Sequence, residues 1–154
     1  MANLEQYINE PGMQEVDPLI KMAIIHFQFE SIHPFYDGNG RTGRILNTLY
    51  LVKAGLLNLP ILYLSRFIIQ NKSGYYSGLQ RVRDQNQWED WLLYIGTGVE
   101  QTARHTITQI QELKALMQKL KFQLRDNYKF YSQDLLNHLF KHPYTKIEFL
   151  MGRA

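Results

Sequence analysis

The chain has 154 residues, the size of one ordinary domain, with 17 Lys+Arg against 14 Asp+Glu and a formal charge of +3. That balance is too mild for a nucleic-acid wrapper, and 45% hydrophobic with 13% aromatic residues rules out wholesale disorder. The absence of cysteine excludes a disulfide framework, zinc fingers, iron–sulfur ligation and a thiol nucleophile.

In chain order the sequence reads as helix almost throughout, with Gly and Pro at the punctuation points and no period-2 alternation. A short helix is expected over Asn3 to Asn9, ending before Pro11 and Gly12. Asp17 and Pro18 supply an N-cap and a proline at the first helical position. From Leu19 to Ile32 the chain is apolar on nearly all sides, the signature of a helix at the centre of a bundle. Pro34 disfavours the α region at His33 and ends it there. Asp37-Gly38-Asn39-Gly40 is turn chemistry, followed by a helix over Arg44 to Ala54 that Gly55 stops. Further helices are expected from about Ser65, from Ser73 or Gly74 through Arg83, and from Trp88 to Thr97, with a break or close packing at Gly96 and Gly98. The longest runs over Val99 to Leu124. Its Ile110, Leu113, Met117, Leu120 and Leu124 make a heptad-like seam, read as one face packed on the domain rather than a dimer zipper, with homo-oligomer formation left open. Ser132 caps a helix through Lys141, Pro143 ends it, and another begins near Lys146. No apolar run approaches the roughly 18–20 residues that span a bilayer and no signal-peptide core opens the chain, so the expected compartment is the cytoplasm, with no membrane partner.

One window stands apart, His33-Pro34-Phe35-Tyr36-Asp37-Gly38-Asn39-Gly40-Arg41-Thr42-Gly43-Arg44, between a buried helix and a new one. Free N–H groups at a helix N-terminus carry partial positive charge, and Gly38 and Gly40 permit left-handed backbone that shapes an anion nest. Arg41 and Arg44, three apart, share a face, and two guanidiniums beside such a nest suit a polyphosphate. Asp37 makes sense there if a metal is supplied, since Mg²⁺ is usually held by one carboxylate, phosphate oxygens and water. His33 is then placed to act as general base. The residues alone therefore point to Mg²⁺-dependent chemistry on a nucleotide phosphate, without a Walker P-loop.

The same window resembles the Fic domain, whose motif HPFx[D/E]GNGRxxR is satisfied at every specified position. The similarity extends to Asp17 through Glu30 upstream and to Tyr75-Tyr76-Ser77-Gly78-Leu79 downstream, covering about Asn3 to Arg125. The resemblance implies an all-α, Fic-type helical bundle with the catalytic loop between two central helices. It implies an adenylyltransferase that joins AMP from ATP to a Ser, Thr or Tyr hydroxyl of a target protein and releases pyrophosphate. Carried over residue by residue, His33 takes the hydroxyl proton and Asp37 holds Mg²⁺. Gly38, Asn39 and Gly40 cradle the α- and β-phosphates, the Asn39 side chain included. Arg41 and Arg44 grip the β- and γ-phosphates, with Thr42 and Gly43 between them in the nucleotide-binding run. Tyr75 and Tyr76 border the adenosine pocket. Gly40 argues against the branch that has Lys there and transfers the γ-phosphate.

The chain departs from the family in two places. Nothing among the residues before His33 reads as the β-hairpin flap that aligns a target. Thr108 to Glu112 fits the start of the inhibitory pattern [S/T]xxxE[G/N], but Leu113 stands where Gly or Asn belongs, so the inhibitory helix is read as absent. The expected organisation is a catalytic core over 1–130 and, over 131–154, the start of a truncated helical module resembling a winged helix, with DNA a partner only if that module continues. A nucleotide- or peptide-sensing regulatory module, a non-catalytic remnant and removal of AMP from a modified protein stay open as alternatives. His26 is read as a core histidine rather than a zinc ligand.

Overall fold

The computed structural model describes residues 1–10 and 16–151, with the side chains of Leu150 and Met151 left aside. The described residues form helices and no strands: α1 (Ala2–Asn9), α2 (Pro18–Ile32), α3 (Asn39–Lys53), α4 (Ser65–Gln70), α5 (Lys72–Gln85), α6 (Trp88–Asn127), α7 (Gln133–Lys141) and α8 (Ile147–Met151). The expected all-α class is the observed one. Pro11 and Gly12, expected to close α1, lie outside the described residues, as does the chain end beyond Met151. No described helix is long and apolar enough to cross a membrane.

Two compact units divide the chain, Met1–His105 and a second beginning at Thr106. In the first, α2 is the central helix its composition demands. The Asp17 carboxylate accepts from the Leu19 N–H at 2.8 Å, Pro18 opens the first turn, and Met22, Ala23, Ile25, His26, Phe27 and Phe29 are buried. Trp91 of α6 is fully buried against it and donates its indole N–H to the Ala23 carbonyl at 3.0 Å. Gly78 lets α5 approach that indole, since a Cβ there would meet Trp91 at 3.1 Å. The α2–α3 pair forms the main helix–helix contact of this unit. The Thr48 hydroxyl of α3 donates to the Leu62 carbonyl at 3.1 Å and ties the irregular 56–64 segment to the helix. Gly55, at φ 75°, terminates α3 as its position implies.

Two boundaries differ from expectation. Helix α3 starts at Asn39 rather than Arg44, because Gly40 and Gly43 are buried or half-buried packing positions and a first turn needs no N–H partner inside the helix. Helix α6 runs unbroken through Gly96 and Gly98. Gly98 is there for close packing, as a Cβ would lie 2.6 Å from a Phe67 ring carbon.

In the second unit the Ser132 hydroxyl caps α7 by accepting from the Leu135 N–H at 3.1 Å, and Leu136 is buried. Ile110 and Leu113 are 51% and 57% exposed, and Met117, Leu120 and Leu124 are half-buried.

Candidate active site

The loop between α2 and α3 begins with a residue in an unusual conformation. His33 caps α2 at φ 50° and ψ 57°, left-handed, with its N–H donating to the Phe29 carbonyl at 3.0 Å. Pro34 denies it the right-handed helical region, and the left-handed turn satisfies a helix-end carbonyl instead. The residue is exposed, so the imidazole is open to solvent at the point where the chain leaves the core.

Residues 35–39 are closed into a ring by one side chain. Asn39 is 3% exposed, its Oδ1 accepts from the Phe35 N–H at 2.9 Å and its Nδ2 donates to the Phe35 carbonyl at 2.6 Å. The amide oxygen and one amide hydrogen are bonded to the loop backbone. The Asn39 amide thus holds the loop over 35–39 in shape at the start of α3. Gly38, at φ 84°, is the left-handed N-cap of α3. The first helical bond is Thr42 N–H to Gly38 carbonyl at 2.9 Å, and the Thr42 hydroxyl adds a second bond to the same carbonyl at 3.1 Å. The N–H groups of Asn39, Gly40 and Arg41 precede that bond and stand at the positive end of a 15-residue helix. Gly40 is helical rather than left-handed. What its missing Cβ provides is room, since a Cβ would lie 3.1 Å from Nη1 of Arg44.

The two arginines behave differently. Arg41 is exposed and pairs with Asp37 at 3.4 Å, both side chains at least three-quarters in solvent, which makes the pair weak and easily redirected. Arg44 is half-buried and its Nε donates to the Ser65 hydroxyl at 2.7 Å, so α4 holds the guanidinium in place over Gly40. Gly43 is buried against α2: a Cβ would come within 2.7 Å of Glu30 Oε1 and 3.2 Å of both His26 Cε1 and Phe29 Cδ1.

Beneath this helix end lies a polar cluster. His26 Nε2 and the Tyr75 hydroxyl are hydrogen-bonded at 3.0 Å, and the His26 ring stacks on Trp91. Burial lowers the His26 pKa to about 4, so the ring is neutral. Burial also pushes the Tyr75 hydroxyl well above its ordinary range. Tyr75 is only 5% exposed, with its hydroxyl bonded to His26, and packs in the core. Tyr76, 65% exposed and edge-on to Tyr75 at 5.3 Å, is the tyrosine with a ring face in solvent.

The described residues hold no cluster of three His, Cys, Asp or Glu suited to a metal. Asp37 alone offers an exposed carboxylate beside the helix N-terminus, which fits an ion that takes one protein carboxylate and fills its shell with phosphate and water. The structure thus brings His33, Asp37, Arg41, Arg44 and the Gly38–Arg41 backbone to one helix end. Two residues were missed from sequence, Ser65 and Glu30. For Glu30 the available signal was a carboxylate in the last turn of a largely apolar helix, where the macrodipole disfavours it.

Residues 1–51 match the profile of the Fic/DOC family, a span that includes the whole His33–Arg44 window. Over 81 residues the chain is 31% identical to the protein adenylyltransferase fic-1 of Caenorhabditis briggsae, covering 51% of this chain and 14% of that protein. It is 42% identical over 69 residues to the probable protein adenylyltransferase aq_aa38 of Aquifex aeolicus, covering 45% of this chain and 19% of that one. With the protein adenylyltransferase Fic of Drosophila erecta it shares 29% identity over 102 residues, 66% of this chain and 19% of the relative. The chain therefore spans between a seventh and a fifth of the length of these relatives.

Proposed function

We propose that the chain is a protein adenylyltransferase that joins AMP from ATP to a hydroxyl of a target protein. The observation that carries the reading is the single helix end at which a left-handed Gly38 frees three N–H groups, two arginines stand on the first turns of α3, and an exposed histidine closes the preceding helix. The names of the relatives support the same chemistry.

In this reading the polyphosphate lies across the α3 N-terminus. The Asn39, Gly40 and Arg41 N–H groups face the α- and β-phosphates, and Arg44 and Arg41 hold the leaving pyrophosphate, whose charge grows in the transition state. Arg44 is already fixed by Ser65, so it loses little freedom on binding, whereas Arg41 exchanges Asp37 for phosphate. His33 takes the proton of the incoming hydroxyl as its oxygen bonds the α-phosphorus, and the bond to the β-phosphate oxygen breaks. Asp37 would hold Mg²⁺, which supplies charge neutralisation on the phosphate oxygens. Tyr76 offers its exposed ring to the base, and Tyr75 supports it from the core.

The test is incubation with Mg²⁺ and ATP labelled at the α-phosphate, alone and with lysate, beside His33→Ala. Label appears on the chain or on a lysate protein and falls by roughly 10²–10⁴-fold in the variant, the scale of a lost general base, while calorimetry shows ATP binding retained. Undiminished labelling by His33→Ala would remove the assigned base. Label carried only from the γ-phosphate would replace adenylyl with phosphoryl transfer.

A further inference from the structure

Phe29 fastens both His33 and the turn that follows it. Its carbonyl accepts the His33 N–H at 3.0 Å, and its ring packs against the Phe35 ring with centroids 6.3 Å apart. The Asn39 amide then bonds the Phe35 N–H and carbonyl at 2.9 and 2.6 Å. The backbone leading into residue 36 is therefore held from α2 on one side and from α3 on the other. On this pinned turn Tyr36 is fully exposed, the most exposed of the large apolar side chains described, and Phe35 beside it is 49% exposed.

A single apolar side chain in water is ordinary on a protein surface. Place and backing distinguish this one. The ring contributes no burial to the fold, yet its backbone is rigid and only two side-chain torsions remain to be fixed on contact, which keeps the ordering cost of binding low. Tyrosine is also among the residue types that dominate binding energy at interfaces. His33, itself exposed, lies three residues earlier. Covalent reach keeps the two Cα atoms within about 11 Å of each other, the span of about three residues of an extended chain. The neighbouring charges do not select a charged ligand. Asp37 and Arg41 pair with each other at 3.4 Å, and in adenylyl transfer both are taken up by the nucleotide and its metal.

We infer that Tyr36 is a docking and specificity residue for the protein target. It receives an apolar side chain that lies within three positions of the hydroxyl presented to His33 on an extended target segment. Tyr36 takes no part in nucleotide binding or proton transfer. The inference rests on the adenylyl-transfer reading for the identity of the hydroxyl, but the contact itself is measurable without transfer.

The experiment uses Ala/Gly peptides with one central Ser, Thr or Tyr and a single Leu moved through four positions on either side. They are offered to the wild type, Tyr36→Ala and Tyr36→Phe with Mg²⁺ and ATP labelled at the α-phosphate. Their binding to each protein loaded with a non-hydrolysable ATP analogue is followed in parallel by amide NMR. In the wild type, Leu at a position within three of the hydroxyl tightens binding and raises kcat/KM by about tenfold over the Leu-free peptide, the scale of one aromatic anchor. Tyr36→Ala abolishes that gain through KM, with kcat within about twofold, and Tyr36→Phe keeps it. ATP affinity and the urea midpoint match in all three proteins, because the ring is outside the fold and the nucleotide site. A Leu preference undiminished in Tyr36→Ala, or absent from the wild type in both assays, overturns the inference. Leu-dependent binding that Tyr36→Ala removes, in a chain that labels neither peptide nor lysate protein, upholds the docking residue and refutes the adenylyl-transfer reading. AMP transfer indifferent to Tyr36 keeps that reading and refutes the docking residue.

Discussion

Acidification should destabilise the protein through one residue, His26. The ring is fully buried, stacked on Trp91 with centroids 6.0 Å apart and bonded to the Tyr75 hydroxyl at 3.0 Å. Burial depresses its pKa from 6.5 to about 4. Above the unfolded value neither state carries the proton and the contribution to stability is complete. As pH falls from 6.5 towards 4 the unfolded chain binds a proton that the folded chain refuses, so stability is lost progressively, and below the folded value the loss stops. Each pH unit crossed inside that window removes about 1.4 kcal/mol, and crossing all of it removes about 3 kcal/mol. Glu30 works the other way: its carboxyl, raised by burial, holds a proton in the folded state that the unfolded chain releases, so its contribution fades as pH rises through its folded value. The assay is urea unfolding followed by tryptophan fluorescence at pH 7 and pH 4, for the wild type and His26→Gln, using only the pH-dependent part of each. With a slope of about 2 kcal/mol per molar urea, the wild-type midpoint should fall about 1.5 M further than that of the variant. Equal pH dependence in the two proteins would show that His26 is not the group responsible and that its ring is hydrated.

Two substitutions probe the motif loop from opposite sides. Gly43→Ala places a methyl 2.7 Å from Glu30 Oε1 and 3.2 Å from His26 Cε1, and this overpacking should lower unfolding free energy by about 1–3 kcal/mol in the same urea assay. Asn39→Ala removes both bonds to Phe35 and leaves its N–H and carbonyl without those partners; it should weaken ATP binding by calorimetry at least about tenfold and cost about 1–3 kcal/mol of stability. Unchanged ATP affinity in Asn39→Ala would mean the ring over 35–39 does not set the shape of the phosphate cradle.

Local chemistry made most helix ends legible. Asp17-Pro18, Gly55 and Ser132 each fall where the backbone needs a cap, a left-handed stop or a hydroxyl acceptor. The twelve-residue window stood out because it gathers a histidine, a carboxylate, two arginines and three glycines between two helices. What was not legible depends on neighbours distant in sequence. The start of α3 lies among glycines, weak helix formers, and is set by packing of Gly43 on α2. Gly98 reads as a break until Phe67 is seen to fill the space of its side chain. The Asn39 amide could face ligand or loop, and only the fold brings the Phe35 peptide to it. Adjacent tyrosines on a helix point about 100° apart, so one of Tyr75 and Tyr76 had to turn inward. The line of buried Tyr75, Gly78 and Val82, three and four apart, was the signal for which one.

The backbone at His33 has a consequence for how this chain can change. A side-chain-bearing residue held left-handed costs about 1 kcal/mol that glycine would not incur, and it stands at φ 50° at the end of the helix most deeply embedded in the core. Chains selected for folding alone should drift to glycine or asparagine at this position and become more robust as they do. In the proposed chemistry that drift removes the proton acceptor, so thermal robustness and turnover pull on position 33 in opposite directions. Any library screened only for heat resistance is therefore biased towards inert proteins, and the first sign of it will be the loss of this one imidazole.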